Sequence, residues 1–249
     1  MVGLASLLLI LLLLVPLAAL LWRALPTLMS GTWQAPTVLS ALRLSLFTST
    51  ITTVSAIIIG TPLAYLLARY RHWALTGLDI LVDLPMVLPP AVAGVALLAA
   101  FGRNGLLGQT LSQFGIELPF TIAAVIIAQT FVSAPFFIRA AKSGFADVDP
   151  RLEQISATLG ESAAGTFRRV TLPLAKNALV GGAIMTWSRA LGEFGATILF
   201  AGNFIGKTQT MPLAIYSALQ SDVNVALALG AILLGTSFAL LALLRIVTR

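Results

Sequence analysis

The sequence predicts an all-α, polytopic membrane protein with six transmembrane helices and a short amphipathic helix in one long polar loop. Three observations carry that prediction. Hydrophobic residues make up 58% of the 249 and charged residues only 10%, where a soluble domain has about a quarter charged, and mean hydropathy is +0.98. The apolar residues lie in long runs with few or no charges, unlike the one-sided stripe of a soluble amphipathic helix. The longest hydrophilic stretch, between residues 139 and 176, far exceeds the usual connection of about 4 to 6 residues and marks a structured or functional loop.

A helix needs about 20 mostly apolar residues to cross the hydrocarbon core, and its backbone polar groups must be paired internally. Residues 4–22, 44–68, 118–138 and 223–244 meet this with no charged side chain. The first has no positively charged leader and exceeds the roughly 7 to 15 apolar residues of a signal peptide, so it is read as an uncleaved helix. Residues 84–101 carry Pro85, Pro89 and Pro90, which remove backbone donors and are expected to kink or interrupt the helix. Residues 175–201 contain Arg189 and Glu193. Irregular backbone and charge survive at membrane depth only against protein or beside a watery cavity, so these last two segments are where a pathway is sought.

Lysine and arginine set the orientation. With the first helix starting in the cytoplasm, the inner side holds Arg69, Arg71, Arg139, Lys142, Arg151, Arg168, Arg169, Lys176, Arg245 and Arg249, against Arg23, Arg43, Arg103 and Lys207 outside. That bias puts both termini in the cytoplasm. It also accounts for the net charge of +6 without nucleic acid, whose recognition needs clustered basic residues on a soluble face. The chain has no cysteine and one histidine, His72, so thiolate chemistry and a histidine metal cluster are excluded. No Gly-x-x-x-x-Gly-Lys-[Ser/Thr] phosphate loop is present, so ATP chemistry, if used, belongs to another subunit.

Within the long loop, Asp149 and Pro150 form a helix start, an acidic cap followed by proline at the first helical position. From Arg151 onward, Leu152, Ile155 and Leu159 fall three and four apart on one face, and Gly160 supplies the left-handed residue that ends a helix. The run Leu152-Glu153-Gln154-Ile155-Ser156-Ala157-Thr158-Leu159-Gly160, with Leu172-Pro173 following at thirteen positions from the glycine, resembles the cytoplasmic loop of binding-protein-dependent ABC importer permeases. That family carries Glu-Ala-Ala before the glycine and Leu-Pro after it. Here Gln154, Ile155 and Ser156 stand at the Glu-Ala-Ala positions and Glu153 lies one place early.

The resemblance implies a type I ABC importer permease architecture. Residues 1–249 would be one transmembrane permease domain, with a core over about 44–245 and an ATPase-docking loop over about 139–176. It assigns docking to Pro150, Arg151, Leu152, Glu153, Ile155, Ser156, Leu159, Gly160, Leu172 and Pro173. The implied partners are a second copy of the chain, two ATP-binding cassette subunits, an extracytoplasmic substrate-binding protein and membrane lipid. No cofactor is expected in this chain, with ATP and Mg used by the partner ATPase.

The stretch from Asp83 through Leu84-Pro85-Met86-Val87-Leu88-Pro89-Pro90 to Gly94 is similar to the molybdate and sulfate permease group. Gly192-Glu193-Phe194-Gly195, Gly202-Asn203 and Thr210-Met211-Pro212-Leu213 look more like molybdate permeases than sulfate ones. The function so implied is ATP-driven import of molybdate, with sulfate, thiosulfate or tungstate as alternatives. An ion-gradient-driven transporter is a rival of another class, but no repeat between the halves supports it. For an oxyanion path, donors are expected from Thr186, Ser188, Arg189 and the backbone freed by Pro89 and Pro90, with Glu193 beside them. Arg189 and Glu193 are four apart and on one helix face; they either pair to hold helices together or line the path.

Overall fold

The computed structural model describes residues 2–31, 35–70 and 72–247. Of the basic residues used for orientation, Arg71, Arg249 and the side chain of Arg245 lie outside what it describes. The described residues form helices and no strand. In chain order they are α1 (Val2–Met29), α2 (Pro36–Arg69), α3 (Trp73–Val87), α4 (Pro90–Phe101), α5 (Gly108–Gln113), α6 (Ile122–Ala146), α7 (Pro150–Thr158) and α8 (Ala163–Thr166). A π-helical turn (Phe167–Thr171) leads into α9 (Leu172–Leu191), followed by α10 (Gly195–Phe200), α11 (Met211–Leu219) and α12 (Val223–Val247).

Two compact units are present, one within Met1–Ser45 and Asn203–Leu243, the other built on Leu46–Gly202. In the first, Val38, Ala41, Met211, Ala214, Ala218, Ala226 and Leu229 form a small-residue core. Ser45 Oγ accepts the Met211 N–H at 2.7 Å and so satisfies a free donor at the start of α11. In the second, the most extensive pairing is α6 with α9. A Cβ on Gly182 would meet the Ala140 methyl at 2.7 Å and the Phe137 carbonyl at 3.3 Å, so only glycine permits this close backbone crossing.

Four helices, Leu4–Met29, Pro36–Arg69, Ile122–Ala146 and Val223–Ala242, are long and apolar enough to cross a membrane. They correspond to the four uncharged runs of the sequence. The other two segments depart from a simple span. Residues 84–101 are not one kinked helix: α3 begins at Trp73, and the α3 to α4 junction turns by 118°. Pro89 and Pro90 cannot donate to the preceding turn, so α3 stops at Val87 and α4 restarts with proline at its first position. Residues 175–201 are divided between α9 and α10, with Gly192, Glu193 and Phe194 between them. With 20 residues, α9 has a span's length, but Lys176, Asn177 and Arg189 make it less apolar, as suits a helix that packs along α6.

Candidate docking and translocation sites

The long loop folds as its residues dictate. Asp149 has extended backbone and its carboxylate accepts the Arg151 N–H at 2.9 Å, with Pro150 opening α7. At the far end, Gly160 has φ +90°, and the N–H groups of Gly160 and Glu161 reach back to the carbonyls of Ala157 and Ser156. This is the left-handed helix stop expected at that glycine.

The helix so delimited has two unlike faces. Ser156 is buried, its hydroxyl 3.0 Å from that of Thr166. Glu153 Oε1 accepts from Arg69 Nη2 at 2.7 Å and from Thr171 Oγ1 at 2.6 Å, while Arg69 Nη1 donates to the Val148 carbonyl at 3.1 Å. Arg69 thus ties the end of α2 to the start of the loop, and Glu153 ties α7 to the turn that leads into α9. On the adjoining face Leu152, Ile155 and Leu159 are 43%, 55% and 81% exposed. They line a shallow groove of about 230 Å³ with Ser156, Glu161 and Val170. Arg151 is exposed, Leu172 is half-buried at the start of α9, and Pro173 is exposed in its first turn.

Among the residues assigned to docking, Glu153 and Ser156 therefore face the chain's own core, while Leu152, Ile155 and Leu159 face away from it. An apolar stripe at helical spacing, left open beside a Glu153 and a Ser156 that are bonded to the chain itself, is the pattern of a helix seated on another protein.

The second candidate site is the helix break. Glu193 is 1% exposed and its two carboxylate oxygens have separate partners. Oε2 pairs with Arg189 Nη1 at 2.7 Å, and Oε1 accepts the Ala196 N–H at 2.9 Å. Glu193 so pairs its buried carboxylate with a half-exposed cation and satisfies a free donor at the start of α10. α10 lies against α4 with almost nothing between the backbones. A Cβ on Gly94 would sit 2.8 Å from Leu199 Cβ and 3.2 Å from Ala196 Cα, and one on Gly195 would sit 2.5 Å from Pro90 Cβ.

The break thus gathers Pro90, Glu193 and Arg189 around the start of α10, with Pro89 exposed in the adjoining turn. The two hydroxyls expected beside them are already engaged. Thr186 is fully buried and donates to the Ser133 carbonyl at 3.2 Å, and Ser188 donates to Ile184 of its own helix at 2.9 Å. Arg189, with its side chain 30% exposed, is the expected donor that still reaches open space.

Sequence reasoning missed three polar features. Arg69 was counted only for orientation. Gln129, fully buried in α6, accepts from Thr52 Oγ1 at 3.2 Å and leaves its Nε2 without a partner. Asp79 and Asp83 of α3 meet Arg139 and Lys142 of α6. The last cluster had a signal: the acids are four apart and the bases three apart, so each pair occupies one helix face.

The family model for the binding-protein-dependent transport system inner membrane component matches residues 56–249. The probable transport system permease protein NifC of Clostridium pasteurianum is 46% identical over 83% of this chain and 72% of its own length. The molybdenum transport system permease protein ModB of Mycobacterium tuberculosis is 43% identical over 80% of this chain and 75% of its own. The sulfate transport system permease protein CysT of Salmonella typhimurium is 36% identical over 96% and 88%. Among solved structures, the inward-facing MetNI methionine ABC transporter aligns with a TM-score of 0.63 at 19% identity over 85% of this chain and 96% of that one. A bacterial ABC transporter that imports alginate gives 0.68 at 14% identity over 89% and 83%; at these identities both comparisons speak for the fold. The chain belongs to the inner-membrane component family of binding-protein-dependent transport systems, with the architecture of an ABC importer permease.

Proposed function

We propose that this multi-pass inner-membrane protein is the membrane-spanning subunit of an ATP-driven molybdate importer. The observation that carries the ATP-driven part is α7, with Glu153 and Ser156 turned inward and Leu152, Ile155 and Leu159 left open. That stripe is the docking surface for an ATP-binding cassette subunit. Molybdate is supported by relatives named for molybdenum transport at 43% identity, against 36% for the sulfate relative.

In this reading the whole chain works as one permease domain, and two copies enclose the path within lipid. Two ATPase subunits sit on the α7 side, and a binding protein delivers the anion from the other. Both termini are cytoplasmic, in keeping with the basic residues flanking the long loop. The chain has no cofactor of its own; ATP and Mg act in the ATPase. A tetrahedral dianion needs a path of weak, sequential donors and not a tight ring, because firm binding would prevent release. Arg189 serves as such a donor near the break, its charge moderated by Glu193.

Vesicles containing the chain with its ATPase and binding protein test this by uptake of labelled molybdate. The expected result is saturable, ATP-dependent uptake that persists in excess sulfate. Uptake suppressed by sulfate would move the chain to the sulfate branch, tungstate as the better competitor would name tungstate as the cargo, and uptake without the ATPase would end the importer reading.

A further inference from the structure

α3 has no buried residue along its length; its half-buried apolar side chains are Leu75, Leu78, Val82 and Pro85, of which Leu75 and Val82 pack against the neighbouring core. Its firm hold on the protein is ionic. Arg139 Nη1 donates to Asp79 Oδ1 at 3.0 Å and Nη2 to the Asp79 carbonyl at 3.0 Å, while the guanidinium also grips both oxygens of Asp83. Lys142 Nζ lies 2.8 Å from each oxygen of Asp79. The four side chains are 26 to 44% exposed and their charges balance. Planar, two-pronged contacts of this kind fix rotation and axial register as well as distance.

The position of this cluster sets its consequence. Arg139 and Lys142 occupy the last turns of α6 before the loop that holds α7, and the carbonyl of Val148 in that loop is tied to Arg69. At its other end, α3 runs through Leu88 and Pro89 into α4, whose Pro90 and Gly94 rest on α10 beside Glu193. α3 is therefore bonded to the helix that leads into the docking loop and continuous with the helix at the break.

We propose that Asp79, Asp83, Arg139 and Lys142 are positioning residues of the transport cycle. They make α3 move with α6, so that displacement of the docked loop reaches the turn at Pro89 and Pro90. This rests on the reading of α7 as an ATPase-docking helix. Coupling between distant sites needs an element that both sites bias, and α3 is that element.

The test uses the complex of this chain with its ATPase and binding protein in proteoliposomes, measuring assembly, ATP hydrolysis and anion uptake together. A purely structural role lowers uptake and hydrolysis in step with the amount of complex. A positioning role lowers the anions moved per ATP in complex that is fully assembled. Asp79→Lys is expected to cut that ratio about tenfold, within the range of couplings between sites. The exchange of Asp79→Lys with Lys142→Asp is expected to restore most of it. Asp83→Asn, a milder change at the most exposed member of the cluster, is expected to reduce the ratio about threefold and gives the answer if Asp79→Lys does not assemble. An unchanged ratio in Asp83→Asn, or in assembled Asp79→Lys, overturns the proposal. A wild-type complex that shows no ATP-dependent uptake overturns the docking reading beneath it.

Discussion

The docking loop and the helix break are held together by opposite means. Around α7 the decisive atoms are at the ends of side chains: Glu153 joins Arg69 and Thr171, and Ser156 meets Thr166. Around α10 the decisive feature is the lack of side chains, because Gly94 and Gly195 let α4 and α10 approach at backbone distance. The first arrangement can be released by changing one contact, whereas the second is close-packed and resists any gradual deformation. Individual bonds on one side and a close-packed crossing on the other are what a transporter with two discrete states would use, if the proposed docking holds, to pass a displacement from loop to crossing.

The largest effect is expected at the crossing. Gly94→Leu forces a side chain into a space where even a Cβ lies 2.8 Å from Leu199. Overpacking there should cost about 3 kcal/mol or more, read as loss of assembled protein and a lowered melting temperature in detergent. A Leu variant that melts like wild type would show that the two helices separate readily.

Next comes Glu193→Ala, which strands Arg189 and the Ala196 N–H together. The cost is expected near 2 kcal/mol, less than for a wholly buried pair because Arg189 reaches solvent. Glu193→Gln keeps the acceptor for Ala196 and should recover about half of that. Equal losses in the two variants would assign the whole effect to the charge.

A smaller loss of stability, about 1 to 2 kcal/mol, is expected for Glu153→Ala, which breaks a charge-assisted bond to Arg69 and a hydrogen bond to Thr171. Its uptake should fall further than its stability, because α7 would no longer be fixed to the ends of α2 and α9. Uptake that tracks stability alone would reduce Glu153 to a fold residue. The smallest change in stability belongs to Leu159→Ser, since this leucine is 81% exposed; the melting temperature should stay within about 1 °C of wild type.

The parts of this molecule that the sequence revealed are those whose causes are local. Long apolar runs marked α1, α2, α6 and α12, and Asp149, Pro150 and Gly160 marked both ends of α7. The Arg189 to Glu193 pair was legible from its four-residue spacing. The start of α3 was not, since the segment read from the sequence begins at residue 84 and leaves Asp79 and Asp83 outside it. Their partners Arg139 and Lys142 lie 56 to 63 residues away, and the spacing that puts each pair on one helix face does not say which two faces meet. The second role of Glu193, as acceptor for Ala196, stayed hidden for a related reason, because it exists only once the chain breaks between α9 and α10. Thr186 and Ser188 had the chemistry of path donors, but Ser188 donates to the Ile184 carbonyl one turn back in its own helix, the local bond a helix offers a hydroxyl, and Thr186 donates across to Ser133 of α6, a contact with no local signal.

The central claim, that the open face of α7 is where ATP-derived force enters, is tested most directly by the affinity of the ATPase subunit for this chain in nanodiscs. Wild type would be compared with Leu159→Ser and with Leu106→Ser, the latter a comparably exposed leucine, at 88%, away from the loop. The account expects Leu159→Ser to weaken binding about tenfold, as truncation of a central apolar anchor does, and Leu106→Ser to leave it unchanged. Equal affinities for all three proteins would contradict it.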